Sequence, residues 1–445
     1  MKILLITSFF PPTHTAGTEK RTLGYAMQLL NLGHEVQVIC AGKWDEGQQY
    51  WNGVRDEEYL HIPVKRIHLN WTLAPNPNEY LYRNPKIAQE LASWVKDFQP
   101  DVIHITSCYT LTASVIEVIN ELNVPMVLTL TDFWFICPKH TLLRFDNFLC
   151  DGRTTNRECL DCLLAGNNTY QRVRPLLNNS IAAAGIEWAS RQANLSNKRG
   201  LKGMALDMGD RKDYLQKMIT LPDAVVAPSS YLREVFAESG ISREIRLIQS
   251  GQDLSWLLPA TQSEPINTIR FGFIGQITSI KGLHVLISAF NHDPLEEKAQ
   301  LLIFGPYDQE SAYRDSIERS INGNKQSIRV RGGFSHDQLG EVLSEIDVLV
   351  VPSVWHENNP RVIQEAFAAQ TPVIASNVGG MAEFVQHEVN GLLFDRSNEI
   401  DLARQLSRIV NEEGLLERLR CGIKPVKKIE VEVEELIKIY EELIQ

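Results

Sequence analysis

The chain has 445 residues, 44% of them apolar and 22% charged, and carries a formal net charge of −11. That length suits two domains of about 200 residues each, and the acidic balance excludes a nucleic-acid binder working by bulk electrostatics. No apolar run approaches the roughly 20 residues that a membrane span needs.

The opening stretch, "MKILLITSFFPP", is too short for a signal peptide and has no small-residue cleavage pattern, so it reads as a first buried strand. A cytoplasmic protein is expected, with its seven cysteines reduced. "KILLITS" (2–8) leads into a helix over 17–32 that Gly33 closes. "EVQVICA", "VKRIHL", "DVIHITS" and "MVLTLTD" follow, each an apolar run suited to burial on both faces of a parallel sheet. "AVVAPSS" and "IRLIQSG" resume the pattern after a long interval, and "PATQSEPINT" (259–268) reads as a linker. A second series then begins with "IRFGFIG", "AQLLIFG", "SIRVRGG", "VLVVPS" and "PVIASN". Two such strand–helix series predict an α/β protein of two doubly wound, Rossmann-like domains facing across a cleft, over 1–258 and 266–424. The tail (425–445) reads as an amphipathic helix with Val431, Leu436, Ile439, Tyr440 and Leu443 on its apolar side, returning to the N-terminal domain.

In doubly wound sheets ligands collect at the carboxyl ends of strands, so the loops there are the candidate site. After "VLVVPS" the chain reads "WHENNPRVIQE" (355–365). Asn359 is expected to cap a helix with Pro360 in its first position. The free N–H groups and positive dipole end of that helix suit a phosphate. Glu357 lies just outside that end and Glu365 about 9 Å further along, at 1.5 Å per residue. Spacing alone leaves two readings: carboxylates holding hydroxyls at the two ends of one extended ligand, or two surface acids on a capped helix. The loop "GQITSIKG" (275–282) ends a strand in Gly275 and opens the next helix near Lys281, an ammonium that reinforces the dipole at a phosphate. "THTAGTEK" (13–20) offers Gly17 for close backbone approach to an anion. "SNVGGMAE" (376–383) offers the pair Gly379 and Gly380 for a tight turn past a ligand.

With these motifs the chain resembles the retaining glycosyltransferases of family four (glycosyltransferase group 1 type), which have the two-Rossmann GT-B fold. The family's Glu-x7-Glu motif stands here as Glu357 and Glu365, its glycine-then-lysine loop matches "GQITSIKG", and "QSGQD" (249–253) matches its hinge approach. The resemblance implies transfer of a hexosyl group, with retention, from a nucleotide-diphosphate sugar of UDP or GDP type to a glycan or lipid-linked acceptor in cell-surface polysaccharide synthesis. Glu365 would bind the ribose hydroxyls and Glu357 those of the donor sugar. Lys281 and the Asn358–Asn359 amides would stabilise the diphosphate leaving group. Gly275 and Gln276, with Gly379 and Gly380, would line the donor, and Gly17 would approach it from the first domain. The family generally requires no metal for catalysis.

Two departures stand out. Gln276 occupies a position where the family usually has arginine, which removes one charge contact to the diphosphate. Thr131 stands where the family's strand "VLTLTDFW" (127–134) would end in His-Asp; Asp132 is retained and is an expected catalytic residue, and threonine can hydrogen-bond but carries no charge. A non-catalytic nucleotide-sugar-binding subunit and a nucleotide-sugar epimerase of the same fold therefore remain as alternatives.

The interval 137–221 breaks the alternation and reads as a Cys-rich insertion. Cys137, Cys150, Cys159 and Cys162 form C-x12-C-x8-C-x2-C, a pattern suited to a structural zinc site. Iron–sulfur and free thiols are the competing readings, and His140 is a substitute ligand. The basic run 191–204 suits either contact with anionic lipid headgroups at the inner face of a membrane or a solvated helix face.

Overall fold

Short runs of valine, isoleucine and leucine are buried on both faces and form parallel strands in two separate sheets. The computed structural model describes residues 1–166, 168–173, 184–185, 188, 204–257, 268–292, 295, 298–307, 311–321 and 327–445. The chain divides into two compact units, the first comprising Met1–Ser250 with Ile429–Gln445 and the second Gly251–Lys428.

The first unit contains β1 (Lys2–Thr7), β2 (Glu35–Ala41), β3 (Trp51–Tyr59), β4 (Ile62–Leu69), β5 (Val102–Ile105), β6 (Met126–Thr129), β7 (Ala224–Ala227) and β8 (Arg246–Leu247). Their order in the sheet is β3-β4-β2-β1-β5-β6-β7-β8. All pairings are parallel except β3 with β4. The sequence reading did not include β3. It lies at the sheet edge and is mostly polar, so it lacks the apolar run that marks its neighbours. A two-residue turn at Leu60 and His61, both with positive φ, closes this hairpin.

The C-terminal helix Ile429–Ile444 packs in the first unit through Ile429, Val433, Leu436, Ile439 and Tyr440. Val431, expected on that apolar side, is 42% exposed. It is five residues from Leu436, whereas Val433 is three away and shares its face. The same helix buries Glu432 against Arg21, which donates through both Nε and Nη2, and against the Tyr25 hydroxyl at 2.5 Å. His104 lies wholly within this core, between Tyr440 (2.6 Å) and Thr129 (2.7 Å), and burial lowers its imidazole to about 3.

The second unit contains β9 (Ile269–Ile274), β10 (Ala299–Phe304), β11 (Ile328–Gly332), β12 (Val348–Val351), β13 (Val373–Ser376) and β14 (Gly391–Phe394), all parallel. Their order is β11-β10-β9-β12-β13-β14. The order reverses between β9 and β12, so the loops leaving these two strands open beside each other. In the first sheet the corresponding point lies between β1 and β5. All but the last residue of the linker 259–268 and of the basic run 191–204 lie outside the described residues. Among the described residues no helix is long and apolar enough to cross a membrane.

Candidate functional site

In the second unit, the switch point brings the loop after β9 against the loop after β12. The β9 loop continues as a 3-10 turn, Ser279–Lys281, and the α-helix Leu283–His292 starts only after Gly282. Lys281 therefore ends a turn instead of opening the helix. Gly282 has φ +73°, and a Cβ there would fall 1.9 Å from the Pro352 carbonyl oxygen, so only glycine lets the two loops approach this closely. The result is an ion pair of 2.6 Å between Lys281 Nζ and Glu357 Oε1. The Ser353 hydroxyl and the Trp355 indole N–H donate to the same oxygen at 2.9 and 3.0 Å. With Oε1 so occupied, Glu357 keeps Oε2 without a partner among the described residues, in a largely buried side chain.

The helix beyond is Arg361–Ala368, and Pro360 precedes it as the capping residue without any side-chain cap. The expected cap by Asn359 is not made, because its Oδ1 accepts a 2.7 Å hydrogen bond from Gln364 Nε2 instead. Glu365 lies within this helix and is only 8% exposed. Its carboxylate makes no hydrogen bond or ion pair with any described residue. Asn358 is buried beside Glu357, while Gln276 is exposed and adds no charge. Gly379 and Gly380 serve the protein's own backbone: Cβ atoms there would meet the Glu357 carbonyl oxygen at 2.8 Å and the Asn358 carbonyl oxygen at 2.2 Å. The Gly380 N–H also donates to the Glu357 carbonyl, so this loop clamps the residue that carries the carboxylate. Burial, and then the Arg396 charge, lower the neighbouring His356 to about 4.

In the first unit, Gly17 is exposed and is the first residue of helix Gly17–Asn31. The loop before it is held by Arg66 from β4, a buried guanidinium that donates to the Phe10 carbonyl at 2.8 Å and to the Pro11 carbonyl, and pairs with Glu57 at 2.6 Å. Glu19, two residues past Gly17, is buried with Oε2 unpartnered, and burial raises its carboxyl. The Ser8 and Ser107 hydroxyls, 2.6 Å apart, tie the β1 loop to the β5 loop at the switch point.

Asp132 follows β6 and accepts a 2.7 Å hydrogen bond from the Trp134 N–H. Burial raises this carboxyl, opposed by the Trp134 N–H and then by His140 and Arg211. His140 is itself lowered by burial and stacks edge-on against Tyr109 at 4.9 Å. The sequence reading gave no site role to Ser353, Trp355, Arg66, Glu19 or Arg211, and considered His140 only as a metal ligand. Their relation to the site depends on long-range contacts, and "SVW" before Glu357 was the only local signal.

Cys137, Cys150, Cys159 and Cys162 are all free thiols and line one cavity of about 30 Å³. Among the described residues, no group of three or more His, Cys, Asp or Glu side chains is arranged to hold a metal ion as it stands.

Two open, largely parallel Rossmann-like sheets, with buried carboxylates and a lysine at the switch point of the second, define the GT-B class of α/β protein. Residues 16–157 match the family described as Glycosyl transferase 4-like domain, and residues 259–424 match Glycosyl transferases group 1. The chain therefore carries a Glycosyl transferase 4-like domain followed by a Glycosyl transferases group 1 domain. It is 33% identical over 145 residues to an uncharacterized glycosyltransferase of Methanocaldococcus jannaschii, covering 33% of this chain and 36% of that one. It is 23% identical over 411 residues to an uncharacterized 42.6 kDa protein in the cps region of Klebsiella pneumoniae, covering 90% of this chain and 92% of that one. The chain thus spans little more than a third of the archaeal relative and nearly all of the bacterial one. The fold is shared with sucrose-phosphate synthase from Thermosynechococcus elongatus (TM-score 0.66, 19% identity, 100% and 99% of the two chains). It is also shared with Anabaena HepE in complex with UDP-glucose (TM-score 0.62, 18% identity, all of both chains).

Proposed function

We propose that this chain transfers a sugar from a nucleotide-diphosphate donor to a hydroxyl of a glycan or lipid-linked acceptor, with retention at the anomeric carbon, in the synthesis of a cell-surface polysaccharide. The observation that carries the reading is Glu365, a residue only 8% exposed whose carboxylate has no partner among the described residues. A carboxylate is an acceptor only, and one left open by the protein is suited to ligand hydroxyls as donors. In this reading Glu365 takes the two ribose hydroxyls, and the open Oε2 of Glu357 takes a hydroxyl of the donor sugar.

The chemistry requires the bond between the anomeric carbon and the diphosphate oxygen to break. Negative charge develops on the leaving oxygen, and a cation already in place lowers that barrier. Lys281 is held by Glu357 and lies 5.9 Å from the centre of the Trp355 ring, so it is ordered before a donor arrives. The acceptor oxygen bonds to the anomeric carbon on the face the diphosphate leaves, and its proton passes to the departing phosphate oxygen. The complex of HepE with UDP-glucose supports a UDP-type donor, and the Klebsiella relative's place in a cps region supports a polysaccharide product.

The test is incubation of the purified chain with a panel of UDP-, GDP- and ADP-sugars, without acceptor, followed by measurement of nucleotide release. Slow release from one donor supports the reading and names base and sugar. Nucleotide binding without release from any donor, and without transfer in an acceptor screen, would favour a binding subunit, for which Thr131 and Gln276 speak.

A further inference from the structure

Outside the sugar site, the strongest concentration of unexplained chemistry is the four-thiol cavity after β6. Three short elements build it. Cys137 ends the turn that begins at Phe133, with its N–H donating to the Phe133 carbonyl at 2.7 Å. The chain then folds into a small hairpin in which Leu143 pairs with Leu149 and the Cys150 N–H donates to the Leu142 carbonyl at 2.8 Å. This hairpin brings Cys150 back to the cavity wall that Cys137 also lines. Helix Asn156–Leu164 follows, opened by a capping box between Thr155 and Glu158. Cys159 and Cys162 are three residues apart on it and so share one face. Four separate positions in the sequence thus reach one cavity of about 30 Å³, room enough for a bare metal ion.

We propose that Cys137, Cys150, Cys159 and Cys162 bind one structural zinc ion as a tetrathiolate centre. Zinc favours four sulfur ligands in tetrahedral geometry, and four protein ligands leave no open position for catalysis. Charge provides the second argument. Four thiolates around a divalent ion carry two net negative charges, and cations surround this cavity. Lys139 and Arg144 line it together with one acid, Glu158, and the half-buried Arg144 pairs with Asp146 at 3.6 Å. Arg211, from helix Met204–Met218, is buried within electrostatic reach of Cys137 and Cys159 and has no salt bridge among the described residues. The buried Arg211 guanidinium donates to the Trp134 carbonyl and has Asp132 within electrostatic reach, and a zinc tetrathiolate would add further anionic charge beside it. The thiols share the cavity wall without converging on one point, so binding includes a closing movement of hairpin against helix. The free energy of binding then becomes stability of that pair.

The experiment is elemental analysis of the untagged full chain after gel filtration, together with replacement of the metal by cobalt. The expected result is one zinc ion per chain and, after exchange, a thiolate-to-cobalt charge-transfer band with the visible spectrum of a tetrahedral site. Cys159→Ser should lose most of the zinc, while Cys421→Ser, at an exposed cysteine outside the cavity, should keep it. If Cys159→Ser fails to fold, the cobalt spectrum of the unaltered chain decides alone. Bound iron with acid-labile sulfide would overturn the proposal, as would a disulfide among the four or a chain that takes up neither zinc nor cobalt.

Discussion

Glu365→Gln should weaken ligand affinity while leaving the stability of the ligand-free chain nearly unchanged. The wild-type residue lies in helix Arg361–Ala368 and its carboxylate has no partner among the described residues, so the substitution breaks no internal contact. Glutamine has nearly the same shape, so the ligand-free chain should change by less than about 1 kcal/mol. Hydrogen bonds to a charged group contribute about 1.5–3 kcal/mol each. Weakening two of them by removing the charge should cost about 2–4 kcal/mol of nucleotide binding, or roughly 30- to 1000-fold in Kd. Urea denaturation of the ligand-free chain measures the first quantity, and titration calorimetry with UDP and GDP measures the second. A loss of stability with unchanged nucleotide affinity would refute the reasoning, since it would give Glu365 a structural partner and no ligand.

Three further outcomes are expected. Glu432→Leu should destabilise the first unit by about 3–5 kcal/mol, because it strands the buried Arg21 guanidinium. The double variant Arg21→Met/Glu432→Leu should recover most of that loss in denaturant titrations, and a single variant costing under about 1 kcal/mol would contradict the account. Gly380→Ala should displace the loop that clamps Glu357, since the new Cβ would lie 2.2 Å from a backbone oxygen; nucleotide affinity should fall and stability drop by about 1–3 kcal/mol. Gly333→Ala, whose Cβ would have its nearest neighbour at 3.7 Å, serves as the tolerated control in the same assays. Stability should also decline as pH falls from 6.5 toward 4. Burial holds His104 at about 3 and His356 at about 4, against 6.5 when unfolded, so the unfolded chain binds more protons in this window. The His356 contribution is on the order of 3 kcal/mol, fully present above pH 6.5 and lost on acidification. Denaturation midpoints that stay flat between pH 6.5 and 5, above the ordinary carboxylate range, would contradict it.

The sequence by itself determined where most of the strands lie, because a strand buried on both faces must be a continuous apolar run, and "KILLIT", "AVVA" and "VLVV" are such runs. It also marked Glu357 and Glu365, whose spacing belongs to one local segment. It did not mark β3, whose polar residues suit a solvated edge, nor the true apolar face of the last helix, where Val433 outweighs Val431. Tertiary structure decided the rest. Only the reversal of strand order between β9 and β12 brings Lys281 to Glu357 across 76 residues of chain, and only the fit of Gly282 against Pro352 lets the loops close that far. Whether a glutamate is paired or open depends on what the fold places around it. Glu357 gains three donors on one oxygen, one of them 76 residues away, while Glu365, eight residues on, has none among the described residues, because partnership is set by what the fold packs beside each side chain.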